Sequence, residues 1–231
     1  MRELENLNSC KSCVYNKLLF GGLTDEELDF FTEHKQELEF KKGEIISKEG
    51  APITSFLYLK EGLVKLYKES PGSKSQIISI AKPLDFISLL SIFSNSTYKY
   101  NVAALEDTVV CSIHLDAFKK VIGQNGPFAL EIMSKMSKMY DDIIESRFEI
   151  NRKHLRGRIA FILLYFSNHI YHSDEFELPI SRREIAELIE MTTENVIRIL
   201  SEFRKDNIVQ IDGKNIKLIE PERIESICKL G

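Results

Sequence analysis

The sequence predicts an α+β chain in three parts: an N-terminal β-roll, one long helix and a C-terminal winged helix-turn-helix. Three observations carry this. Short β-rich runs broken by glycine fill the stretch from Leu38 to about Leu115. An unbroken helical pattern follows Pro127. Two closely joined short helices and two β-like runs occupy residues 179–219. The parts are drawn at 1–126, 127–152 and 153–231.

The 231 residues are 43% hydrophobic and 29% charged, which is globular and argues against disorder. No apolar run approaches the ~18–20 residues of a membrane span, and MRELENLNSCKSC lacks a signal-peptide core, so a cytoplasmic protein without a membrane partner is expected. The net charge of −4 gives no sign of nucleic acid, so any such claim must rest on local geometry. Four cysteines (Cys10, Cys13, Cys111 and Cys228) are too few for a disulfide scaffold and read as thiols, metal ligands or redox groups. No phosphate loop, HExxH or nucleophile elbow is present, and the five histidines show no ligand spacing, so an enzyme is not expected.

In chain order, TDEELDFFTEH (24–34) reads as a helix opened by a capping box, Thr24 with Glu27. The runs FLYLKEGLVKLY, QIISIA and VAALEDTVVCSI read as strands, with Gly43, Gly50 and Gly62 at turns that need positive φ. Asp116–Ile122 is a short helix. The long helix after Pro127 places Ile132, Met136, Met139, Ile143 and Ile150 at four- and three-residue steps, Ser146 filling the gap. That 3.5-residue seam predicts a homodimer coiled coil, with Met133, Tyr140, Ile144 and Phe148 turned to the β-roll. The alternative is one amphipathic helix packed on its own domain. LRGRIAFILLYFSNHI is helical again, and HSDEFELP reads as an acidic loop.

Ser181 and Glu184 form a second capping box, and Ile185, Leu188 and Ile189 give that helix an inner face. Thr192 caps the next helix after a short turn. Ile208–Ile211 and Asn215–Ile219, joined through Asp212-Gly213, read as a hairpin wing. On the second helix Val196, Ile199, Leu200 and Phe203 want a core, while Glu194, Ile197 and Arg198 face outward. An isoleucine on a charged outer face suits a helix laid in the major groove of DNA. There a carboxylate accepts from cytosine N4, a guanidinium bonds guanine and an apolar side chain meets the thymine methyl. The competing reading is a Glu194–Arg198 ion pair on a solvated face, worth only ~0.2–0.5 kcal/mol.

With these motifs in place the chain resembles the Crp/Fnr family of bacterial transcription regulators over nearly its whole length. FKKGEIISKEGAPITSFLYLKEGLVKLY and YKYNVAALEDTVVCSI resemble the family's cyclic-nucleotide-binding-type β-roll, and SRREIAELIEMTTENVIRILSEF its helix-turn-helix. The resemblance implies a homodimer on a palindromic DNA operator, with RNA polymerase as a partner if the protein activates. It places base readers on Glu194 and Arg198. DNA-phosphate contacts fall on Arg182 and Thr192, with Thr193 and Lys214 joining the interface. Glu190 departs from the family, whose turn often has glycine.

The resemblance also frames the signal. Cyclic-AMP-responsive members hold the ribose and phosphate with Gly-Glu and Arg-Ser/Thr pairs; here these become Ser88-Leu89 and Tyr98-Lys99. Burying a phosphate against Leu89 and Tyr98 without the arginine costs several kcal/mol, so cyclic AMP is not expected and the effector is unknown. The oxygen-sensing branch holds an iron–sulfur cluster with Cys-x-x-Cys, a third N-terminal cysteine and one after the "ALE" strand. Cys10, Cys13 and Cys111 match three of these, and the remaining position falls on or near Leu19. The residues themselves leave a metal or cluster, a thiol redox switch and no cysteine role all open. A winged helix that contacts only protein is the alternative to DNA binding.

Overall fold

The computed structural model describes residues 2–4, 9–13, 20–69, 75–87 and 89–231. The chain divides into two compact units, Met1–Glu69 with Ile78–Asp141 and Ser70–Ile77 with Asp142–Gly231.

The first unit is the β-roll. Its strands are β1 (Arg2–Leu4), β2 (Lys35–Phe40), β3 (Ile45–Ser47), β4 (Ser55–Glu61), β5 (Val64–Lys68), β6 (Gln76–Ala81), β7 (Asn101–Ala104) and β8 (Thr108–His114). They form two four-stranded sheets, ordered β1-β2-β8-β4 and β3-β7-β5-β6. The turn glycines behave as expected: Gly43, Gly50 and Gly62 have φ of 88°, 83° and 83°. At Gly62 a Cβ would meet the Asp107 carbonyl at 2.6 Å, so the turn excludes every larger residue.

Helix α1 (Asp25–Glu33) starts at the Thr24–Glu27 capping box; α2 (Leu89–Ile92) is a single turn, and α3 (Leu115–Gln124) follows β8. Their aromatic residues close the roll. Phe56 and Phe118 stack at 3.8 Å, and Phe31 and Phe128 pack around Phe118. All four are fully buried, so truncating Phe118 to alanine should cost about 3–5 kcal/mol.

Helix α4 runs from Gly126 to Arg152. The face that spacing gave to a partner packs on its own chain, and the face that spacing gave to the β-roll is exposed. Ile132 is 1% exposed, Met136 and Met139 pack against the β-roll core, and Ile150 is 1% exposed within its own chain. Ile143 on the same face is half-buried. The opposite stripe is bare: Leu130 (67% exposed), Met133 (60%), Ile144 (65%) and Phe148 (61%), with Tyr140 (40%) in line. Both stripes fit a helix period, and only the partner surface decides which one a domain takes.

The second unit holds α5 (Leu155–Tyr165), a π-helical turn (Phe166–Tyr171), β9 (Glu175–Glu177), α6 (Arg182–Leu188), α7 (Thr193–Lys205), β10 (Val209–Asp212), β11 (Asn215–Leu218) and α8 (Pro221–Leu230). The wing sheet is ordered β10-β11-β9. β9 corrects the acidic-loop reading of HSDEFELP. Phe176 alternates with Glu175 and Glu177, pairs with Ile216 and is 6% exposed, so three residues make a half-buried edge strand. Helices α5 and α8 meet at glycines: a Cβ on Gly157 would sit 2.9 Å from the Gly231 Cα.

Candidate nucleic-acid interface

α6 begins at Ser181, whose hydroxyl accepts from the Glu184 N–H while the Glu184 carboxylate accepts from the Ser181 N–H. It ends in a Schellman-type turn. The Met191 N–H reaches back to the Ala186 carbonyl, and Glu190 sits at φ 56°, in the left-handed region. A non-glycine residue there costs about 1–2 kcal/mol. Two arginines hold the turn: Arg158 donates to the carbonyls of Ile189 and Glu190, both at 3.1 Å, and Arg147 pairs with the Glu190 carboxylate at 3.2 Å. The glutamate thus takes the conformation a glycine would take, and its side chain gives something back.

Thr192 caps α7, accepting from the Asn195 N–H. Val196, Ile199 and Phe203 are fully buried and Leu200 is 3% exposed, which fixes the helix against its domain. The other face is open: Glu194 is exposed, Ile197 is 51% exposed and the Arg198 side chain 54%. Thr193 is half-buried at the helix start. Lys214 is exposed in the wing turn beside Gly213. The structure therefore brings Thr193, Glu194, Ile197, Arg198 and the wing to one domain. Arg182 does more than wait for a phosphate: it donates to the Gly213 carbonyl at 2.8 Å, tying α6 to the wing tip. Burial lowers its pKa below the usual guanidinium range. Arg182, Ile197, Leu200, Ser201, Arg204 and Ile211 line a cleft of about 180 Å³ between α7 and the wing.

Sequence spacing missed one feature. Arg198 pairs with Glu202, Nη1 to Oε1 at 2.6 Å, and its Nη2 reaches Asn195 at 3.3 Å. Both partners stand at helix spacing from Arg198, as does Glu194, so spacing alone does not choose between the two acids.

In the β-roll, Ser88 lies outside the described residues and only the backbone of Leu89 is described. Tyr98 is buried, and burial pushes its phenol up to about 12. Lys99 is exposed, so it lies on the surface while its neighbours Tyr98 and Tyr100 are buried.

The cysteines meet the first sheet. Cys10 is buried in a 3-10 turn (Cys10–Ser12), its N–H bonded to the Thr32 hydroxyl. Cys111 on β8 lies between Glu37 on β2 and Tyr58 on β4, whose hydroxyl donates to its sulfur. Burial pushes the Cys111 thiol up to about 12 against that hydrogen bond, and burial raises Cys10 against its bond with Thr32. Beside them Glu37 accepts from Lys60 at 2.7 Å and Lys35 at 3.0 Å, all three side chains largely buried. An iron–sulfur cluster takes thiolates. Burial here favours neutral thiols, and among the described residues no group of three His, Cys, Asp or Glu is placed to hold a metal.

A β-roll followed by a winged helix-turn-helix whose second helix has an exposed outer face defines a DNA-binding transcription regulator. A family model described as cyclic nucleotide-binding domain matches residues 37–125, and one described as Crp-like helix-turn-helix domain matches residues 157–227. The transcriptional activator protein Anr of Pseudomonas aeruginosa is 26% identical over 91% of this chain and 88% of its own length. The fumarate and nitrate reduction regulatory protein of Yersinia pestis is 25% identical over 96% and 90%. The fold is that of FixK2 from Bradyrhizobium japonicum, with a TM-score of 0.76, 24% identity and coverage of 84% of this chain and 96% of that one. The chain belongs to the Crp/Fnr family of transcription regulators.

Proposed function

We propose that the protein is a homodimeric, sequence-specific regulator that reads a palindromic operator with α7 in the major groove. One observation carries this: the α7 inner face is locked into its domain while Glu194, Ile197 and Arg198 stand exposed together. On a groove-reading helix an isoleucine between an acid and an arginine has a partner, the thymine methyl. The bare stripe Leu130, Met133, Tyr140, Ile144 and Phe148 is the seam for a second copy. An exposed apolar line of this length on one helix calls for a partner.

The protein acts in the cytoplasm; no helix among the described residues is long and apolar enough to cross a membrane. The relatives named for fumarate and nitrate reduction and for anaerobic regulation support a redox-linked signal. Cys10, Cys13 and Cys111 are the residues to test for it. Iron analysis and absorbance of anaerobically purified protein, with Cys13→Ser beside it, decide whether they hold iron. Cyclic AMP is not the effector: buried Tyr98 and exposed Lys99 offer its phosphate no buried cation. A saturable thermal shift at micromolar cyclic AMP would overturn that. RNA polymerase is the further partner if the regulator activates.

Titrating salt against duplex DNA tests the core of the reading. Affinity should fall steeply with salt as phosphate counterions return. A module that contacts only protein would show no such binding.

A further inference from the structure

Glu202 stands one helical turn beyond Arg198, on the side of α7 away from its N-terminus, and it is held from two directions. One carboxylate oxygen takes Arg198 Nη1 at 2.6 Å, and the other takes Arg156 Nη1 at 2.8 Å. Arg156 comes from α5; its second nitrogen binds Asp206 at 3.2 Å, and its guanidinium lies 4.9 Å over the Phe203 ring. Phe203 is fully buried, so the stack anchors Arg156 to the domain core. The chain of contacts runs Phe203, Arg156, Glu202, Arg198 and ends at Asn195, which takes Arg198 Nη2 at 3.3 Å.

A long arginine loses ~2 kcal/mol of rotamer freedom when it is ordered on a base. An isolated i,i+4 ion pair on a solvated helix does little to order it. A carboxylate that is itself fixed by a core-stacked arginine, whose other nitrogen is held by Asp206, does more, because neither partner needs to be gathered from solvent. We infer that Glu202, backed by Arg156, is a positioning residue that sets the orientation of Arg198 and so its preference for guanine. This inference rests on the reading of α7 as the base-reading helix. Glu202 need not touch DNA. Its negative charge opposes phosphates, so a role in general affinity would carry the opposite sign.

The test uses the full-length protein and the duplex recovered by wild type from a randomised pool. The readout is the Kd for a duplex with the Arg198-dependent guanine replaced divided by the Kd for the recovered duplex. Glu202→Gln keeps the shape and removes the charge; Glu202→Asp keeps the charge and withdraws the carboxylate by one methylene. Both should lower the ratio about tenfold while thermal melting stays near wild type, and neither should change it further in an Arg198→Ala background. Arg156→Met, which leaves Glu202 unanchored, should lower the ratio to a smaller extent and covers the case in which a Glu202 variant folds poorly. An unchanged ratio with affinity for all duplexes raised alike shows that Glu202 acts by charge alone and overturns the inference, as does wild-type behaviour of Glu202→Asp. If Arg198→Ala itself recovers the wild-type motif, the base-reading assignment fails instead, and the two failures stay distinct.

Discussion

Glu37 shows how much a single residue can decide in the β-roll. Burial opposes its ionisation, yet hydrogen bonds from Lys60 and Lys35 outweigh that and hold its carboxylate below the usual range. Glu37→Ala would take a hydrogen-bonded carboxylate away from two largely buried ammonium groups and should cost about 3–5 kcal/mol in urea unfolding. A loss under 1 kcal/mol would mean the lysines reach water. Cys111 and Tyr98 make a prediction about alkali. Each is pushed to about 12 in the folded chain, from ordinary values of 9.0 and 10.0. The unfolded chain therefore gives up these protons first, and stability that is whole below pH 9 falls as pH rises toward 12. Urea midpoints measured from about pH 8 to about pH 11 should decline, and Cys111→Ala should make the decline shallower. An identical slope in the variant would remove Cys111 from the cause.

At the scale of elements, α4 is where the sequence was least decisive. Its two stripes, Ile132–Met136–Met139 and Met133–Tyr140–Ile144–Phe148, are both apolar at helix spacing, and periodicity cannot tell a domain core from a partner. Packing on the β-roll settles the first stripe and leaves the second bare. Replacing Ile144 and Phe148 with glutamate should therefore give folded monomers by sedimentation. Met139→Glu should instead lower the melting temperature of the sensor unit. A dimeric Ile144→Glu/Phe148→Glu protein would refute the seam. Other elements were legible because their signals are local. The Thr24 and Ser181 capping boxes, the positive-φ glycines and the Asp212-Gly213 hairpin each depend on neighbours within a few residues. β9 was missed because three residues carry too short a period to read. The Arg156–Glu202 contact was invisible because it joins residues 46 apart.

For the whole molecule, a net charge of −4 does not argue against the proposed reading surface, which depends on local charge. The exposed face of α7, the Arg182-tethered wing and Lys214 lie on one domain. Lys214→Ala should weaken all duplexes alike and flatten the salt slope by about one unit. Arg198→Ala should cost about 1–3 kcal/mol and act at one base. The most direct measurement is a binding selection on randomised duplex DNA with wild type and Arg198→Ala side by side. Wild type should recover a palindrome with a TGA-like core in each half-site and half-site centres ~10 base pairs apart, and Arg198→Ala should lose preference at one guanine per half-site. Recovery of no motif by wild type, or of the same motif by both proteins, would contradict the assignment of α7 as the element that reads DNA.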